Sequence, residues 1–128
     1  MAEQRLWAVR GAVQVDRNEA AAILAATEEL VGELMREILS RNSLAAEDLV
    51  SCIFTLTEDL DAEFPAVAAR GLGLDSVPLL CATEVDVPGA MPRVIRALVH
   101  YYANAGHEPA HAYLGAAQAL RSDLQSAQ

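Results

Sequence analysis

No lysine occurs among the 128 residues. That excludes a Schiff-base nucleophile and any phosphate loop whose lysine reaches the phosphates. Basic charge is scarce altogether: nine arginines stand against 18 acids, for a formal net charge of −9. A nucleic-acid-binding domain needs a basic face, so no nucleic-acid partner is expected. Cysteine is limited to Cys52 and Cys81, both inside apolar runs. They read as reduced core thiols, not a disulfide framework, and a reducing compartment, the cytoplasm, is expected. No apolar run approaches the roughly 18 residues of a membrane-spanning helix, so no membrane partner is expected. The segment MAEQRLWAVRGAV carries Glu3 and two arginines where a secretory leader needs an uninterrupted apolar stretch. CxxC, GxSxG and Walker A patterns are all missing, and Gly71-Leu72-Gly73 alone is no dinucleotide fingerprint.

What the chain does have is apolar mass. Hydrophobic residues make up 53% and charged residues 21%, which suits one folded domain with its own core. Leu6 to Val13 is a short bounded apolar run that reads as a strand. Asn18 offers a helix N-cap, and Ile23, Ala26, Leu30, Leu34 and Ile38 then recur at helical spacing until about Arg41-Asn42. Ser43 is expected to cap a short helical turn through Asp48. Val50 to Thr57 alternates, with Val50, Cys52, Phe54 and Leu56 on one side and Ser51, Ile53, Thr55 and Thr57 on the other. Phe64 to Arg70, with Pro65 near its first turn, opens a second, shorter helix ended by Gly71 and Gly73. Val77 to Thr83 is a third strand. Arg93 to Tyr102 fits either a helix or a buried strand, and its β-formers favour the strand. His111 to Leu114 is a last short strand. The order β-α-β-α-β-β-β predicts a single mixed α+β domain.

His107-Glu108-Pro109-Ala110-His111 matches the H-E-x-x-H zinc pattern. That chemistry requires both histidines on one face of a continuous helix. Pro109 lies between them and Gly106 precedes them, so the segment reads as a loop and no metal site is expected.

Arginine, by contrast, stands inside two apolar runs: Arg10 in LWAVRGAV and Arg96 in VIRALV. A guanidinium there must meet an anion. Either it pairs internally with Glu84 or Asp86, or several arginines line a pocket for a small multiply charged anion.

The segments VRGAVQVDRNE, FTLTEDLDAEFPAVAAR, VPLLCATEVDVPGAMPRVIR and HAYLGAAQALRSDL together resemble the AroH-class chorismate mutases, the small monofunctional type. The resemblance runs from about Leu6 to Leu124. It implies one chorismate mutase domain over residues 1–128, with an ordered core of about 6–124 and a tail at 125–128. The fold implied is a mixed-sheet α+β subunit with two main helices packed on one sheet, in a chorismate-mutase-II-like trimeric pseudo α/β barrel. The reaction implied is the Claisen rearrangement of chorismate to prephenate, in aromatic amino-acid biosynthesis, without a cofactor. The active sites would lie at the subunit interfaces of a homotrimer.

The resemblance also assigns residues. Arg10 grips a substrate carboxylate, Arg96 contacts the ether oxygen and a carboxylate, and Glu84 and Cys81 lie near the substrate hydroxyl. Tyr113 hydrogen-bonds a carboxylate, while Phe64, Arg70, Leu120 and Arg121 line or close the mouth. Val67 stands where a lysine can occur in the family. On a regular strand Cys81 and Glu84 fall on opposite faces, so both side chains meet substrate only if the chain bends between them. The alternative from another class is a non-catalytic trimeric module that binds an anionic metabolite with the same arginines.

Overall fold

Five strands form one mixed sheet in the computed structural model, which describes residues 3–15, 20–60 and 73–120, with side chains in the long helix described from residue 29 onward. The strands are β1 (Gln4–Gln14), β2 (Leu49–Leu56), β3 (Leu79–Thr83), β4 (Val94–Asn104) and β5 (Ala112–Tyr113). Their spatial order is β3-β2-β4-β1-β5. β4 pairs antiparallel with both β1 and β2, whereas β3 and β5 add to the two edges in parallel. One long helix, α1 (Ala20–Arg41), follows β1, and 3-10 turns occupy Ala46–Asp48 and Gly115–Leu120. This α+β architecture is the expected one, and 94–104 resolves as the strand its β-formers favoured. The second helix expected over Phe64 to Arg70, and the expected cap Asn18, lie outside the described residues.

Alternation sorts each strand into two faces. Val9 and Val13 of β1, Cys52, Phe54 and Leu56 of β2, and Ile95, Ala97, Val99 and Tyr101 of β4 are buried in one cluster with Val31, Leu34, Met35 and Ile38 of α1. Those four helix positions follow the i, i+3, i+4, i+7 rule. Of the expected stripe, Leu34 and Ile38 are buried and Leu30 is partly so, with the seam running along Val31 and Met35.

The helix crosses β1 at Gly11, where a Cβ would lie 2.9 Å from Leu34 Cδ1 and 2.8 Å from the Ala112 carbonyl oxygen. No side chain fits there, so glycine sets how closely α1 and β5 approach the strand.

Two local expectations are corrected. Ser43 ends α1 instead of opening the next turn. Its φ of 54° puts it in the left-handed region. Ser43 N–H donates to Ser40 O at 3.2 Å and Leu44 N–H to Leu39 O at 2.9 Å, a Schellman arrangement. The 3-10 turn is held instead by Asp48, whose Oδ2 accepts from Ala45 N–H at 2.9 Å. Second, the alternation of β2 does not extend to Val50. A register shift between Leu49 and Ser51 buries Leu49 and leaves Val50 exposed.

Candidate active site

The sheet face turned away from α1 gathers the charged and polar residues. Directly opposed residues share a face, so the pairing can be followed row by row across the strands. Ala12 pairs with Tyr113 on one side and Arg96 on the other, and Arg96 pairs in turn with Thr55. Arg10 begins the next row, opposite Leu98, which continues through Ile53 to Leu80. Arg10, Arg96 and Tyr113, from three strands, therefore share one face. Ala12 is the small residue between Arg96 and Tyr113. It is fully buried with Val94 and Ala117, and Met91, Tyr113 and Leu120 all pack against this small cluster.

Glu84 follows Thr83 at the end of β3 and lies on the same face. Its Oε2 accepts from Arg96 Nε at 2.9 Å and from Thr55 Oγ1 at 2.7 Å. The internal pair foreseen from composition thus exists, between Arg96 and Glu84. It does not consume the guanidinium: Nε is engaged, while the two terminal nitrogens carry four more N–H donors. Thr55 was legible only as one polar position in an alternating strand, and its role depends on lying beside both Arg96 and Ala82, two residues before Glu84.

Cys81 is placed differently. It pairs with Phe54 and packs against the α1-side cluster. The chain does not bend before Glu84, because Thr83 still pairs with Leu56 and Glu84 N–H donates to Leu56 O at 2.8 Å. The Cys81 side chain and Glu84 therefore stay on opposite faces. The bonds from Cys52 N–H to Pro78 O and from Glu84 N–H to Leu56 O fix the phase of this parallel ladder. Main-chain groups of even-numbered β3 residues face β2, and those of Leu79, Cys81 and Thr83 point out of the sheet edge.

Three other arginines, Arg93, Arg41 and Arg5, make contacts elsewhere in the fold. Arg93, at φ 52°, donates from Nε to Val15 O at 2.8 Å, and its N–H meets the Asp59 carboxylate at 3.1 Å. Arg41 pairs with Glu37 at 2.9 Å and donates from Nη1 to His111 O at 2.9 Å. Arg5 lies over the Trp7 ring, 4.9 Å from its centroid.

The H-E-x-x-H segment is the irregular loop between β4 and β5. His107 Nε2 is 2.6 Å from Tyr101 Oη, and His111 Nδ1 accepts from Arg10 N–H at 3.0 Å. Both rings are engaged with the fold. The contact from His111 to Arg10 was not foreseen; the only sequence signal was its place two residues before Tyr113. Phe64, Arg70 and Arg121 lie outside the described residues.

Comparison with known proteins covers most of the chain. The family model for chorismate mutase type I matches residues 6–124. The chain is 45% identical over 121 residues to the chorismate mutase AroH of Thermus thermophilus, covering 94% of this chain and 97% of that protein. It is 35% identical over 118 residues to the chorismate mutase AroH of Bacillus subtilis, covering 91% and 90%. A solved chorismate mutase from Clostridium thermocellum matches with a TM-score of 0.74 at 41% identity, covering 88% of this chain and 98% of that one.

Proposed function

The chain belongs to the chorismate mutase type I family and is an isomerase that rearranges chorismate to prephenate, and we propose that Arg10, Glu84, Arg96 and Tyr113 carry the reaction on the sheet face turned away from α1. The observation that carries this assignment is the Arg96–Glu84 pair, steadied by Thr55, one row from Arg10 and beside the Ala12–Tyr113 pair.

The reaction is pericyclic. One C–O bond breaks as one C–C bond forms, with no proton transferred and no covalent intermediate. A protein accelerates such a step by holding the flexible dianion in its compact conformer and by stabilising charge that grows on the ether oxygen. Arg10 and Tyr113 hold carboxylates. Arg96, with Nε tied to Glu84, turns its remaining donors to the ether oxygen and a carboxylate. Glu84 Oε2 already accepts from Thr55 and Arg96, which leaves Oε1 for the substrate hydroxyl. Cys81 contributes its outward main-chain N–H, since its thiol faces the helix side. The family resemblance assigns Phe64, Arg70, Leu120 and Arg121 to the mouth. In a chain of net charge −9 this arginine group must dominate the local field to attract a dianion. No step calls for a cofactor.

The subunits form a homotrimer with active sites at their interfaces, a reading supported by the exposure of Leu80 on the same sheet face. Cytoplasmic residence is supported by two free thiols, Cys52 and Cys81.

The test is the loss of chorismate absorbance with Arg96 variants. Arg96→Ala removes a donor that acts more strongly on the transition state than on bound substrate, so kcat should fall by about 10²–10³-fold or more. Arg96→Lys keeps charge but loses the planar fork and should recover only part. Citrulline at position 96 keeps shape and hydrogen bonds, so it isolates the charge. Near-native kcat in a folded Arg96→Ala protein overturns the assignment.

A further inference from the structure

A regular β1–β5 ladder is interrupted one residue before it reaches Arg10. β5 runs parallel to β1 with Gly11 opposite Ala112 and Ala12 opposite Tyr113, and Leu114 N–H donates to Ala12 O at 2.9 Å. Continued in the same phase, the ladder would send Arg10 N–H to the carbonyl of Ala110. That carbonyl is taken: it accepts from Asn42 Nδ2 at 3.0 Å. Arg10 N–H donates instead to the His111 ring at Nδ1, 3.0 Å away. A side chain thus replaces the missing strand carbonyl, and Nδ1, as the acceptor, carries no proton.

The ring is held in place from its own main chain. Asn42 is buried and grips Ala110 from both sides, accepting its N–H on Oδ1 at 2.8 Å while donating to its carbonyl. Arg41 Nη1 donates to His111 O at 2.9 Å. His111 is thereby tied to the C-terminal end of α1. Two residues later the same segment presents Tyr113, and the ring's acceptor fixes the main chain of Arg10.

We propose that His111 is a positioning residue for the rearrangement: its Nδ1 stands in for a strand carbonyl and fixes the Arg10 backbone relative to Tyr113, so that two carboxylate-binding side chains on different strands keep one spacing. This rests on the assignment of Arg10 and Tyr113 to substrate carboxylates. A part-buried N–H left without its acceptor shifts to find another, and a small displacement of a binding group is felt directly in affinity.

The test measures KM and kcat for chorismate together with thermal stability. His111→Leu should raise KM about tenfold while kcat stays within about twofold, because Arg10 binds charge already present in the ground state. His111→Asn, whose Oδ1 falls where Nδ1 lies, should keep KM within about threefold of native. His111→Gln, whose carbonyl reaches toward the Nε2 position, should behave like Leu. If His111→Leu does not fold, the Asn and Gln variants carry the same comparison. Arg10→Ala combined with His111→Leu should show a KM no higher than Arg10→Ala alone, since the ring acts through Arg10. A stability loss with native KM in His111→Leu overturns the proposal, and so do independent, multiplying effects in the double variant. Unchanged KM in Arg10→Ala overturns the assignment of the site itself. A raised KM there with native KM in His111→Leu overturns only the role of His111.

Discussion

Cys52 and Tyr101 lie in the core as neutral acids, and both resist ionisation. Burial, with the Cys81 thiol nearby, pushes the Cys52 thiol up from 9.0 to about 12. Burial pushes the Tyr101 hydroxyl up from 10.0 to about 12, with His107 Nε2 at 2.6 Å from its oxygen. The native state therefore keeps protons that the unfolded chain loses, and stability must fall as pH rises. The loss begins near pH 9 for Cys52, is joined near pH 10 by Tyr101, and continues to about 12. Each group contributes at most about 1.4 kcal/mol per pH unit in its window, and nothing below pH 8. Urea unfolding at pH 8, 9 and 10 should show this decline, and Cys52→Ala should flatten the pH 9 to 10 interval; an unchanged slope in that variant contradicts the assignment. The same scale shows what a sequence makes legible. Arg96 and Glu84 stand out because a charge inside or just beyond an apolar run needs a partner. His111 does not, since its acceptor role depends on the register of two strands that bring residues 10 and 111 together. Cys81 keeps its thiol away from Glu84 because the ladder stays regular through Thr83.

Elements, by comparison, were widely legible. Bounded runs of alternating or β-branched residues gave all five strands to within a few residues, and helical spacing gave α1. The exceptions have local causes. A bulge shifts the β2 register between Leu49 and Ser51, and a left-handed Ser43 stops α1 where serine would more commonly start a helix. One tight junction between elements is Gly11, where β1 meets α1 and β5 at once. Gly11→Ala places a methyl group 2.8 Å from Ala112 O, 2.9 Å from Leu34 Cδ1 and 3.1 Å from Ile38 Cδ1. Overpacking of this kind costs about 1–3 kcal/mol. Leu34→Ala should relieve only the Leu34 contact, because the Ile38 side chain and the main-chain oxygen of Ala112 remain. The double variant measured in urea should therefore couple, while remaining less stable than Leu34→Ala alone. Native-like stability in Gly11→Ala would mean that β5 gives way freely, and Tyr113, which it carries, would then show it as a raised KM.

At the scale of the molecule, the two sheet faces are treated unequally. One is covered by α1 and holds the main core, and the other carries the row Arg10, Leu98, Ile53 and Leu80 beside the row with Arg96. Leu80 is 61% exposed on a single subunit, and among the described residues no strand pairs with the outward edge of β3 next to it. Apolar side chains on a second sheet face, beside an unpaired edge, call for cover by another protein surface. The proposed homotrimer would supply that cover and would place a neighbouring subunit beside Arg10, Arg96 and Glu84, in keeping with the proposed interfacial site. Light scattering at micromolar concentration should then give three times the 13.7 kDa chain mass. Leu80→Asp puts a charge into the apolar row without touching the arginines. It should shift the mass toward that of one chain and lower activity in parallel, with the far-ultraviolet dichroism of α1 retained. Raising the concentration of that variant should restore mass and activity together, because dissociation is opposed by mass action. A native protein that scatters as a monomer at full activity defeats both the trimer and the interfacial site. A Leu80→Asp protein that stays trimeric and active removes this row from the interface.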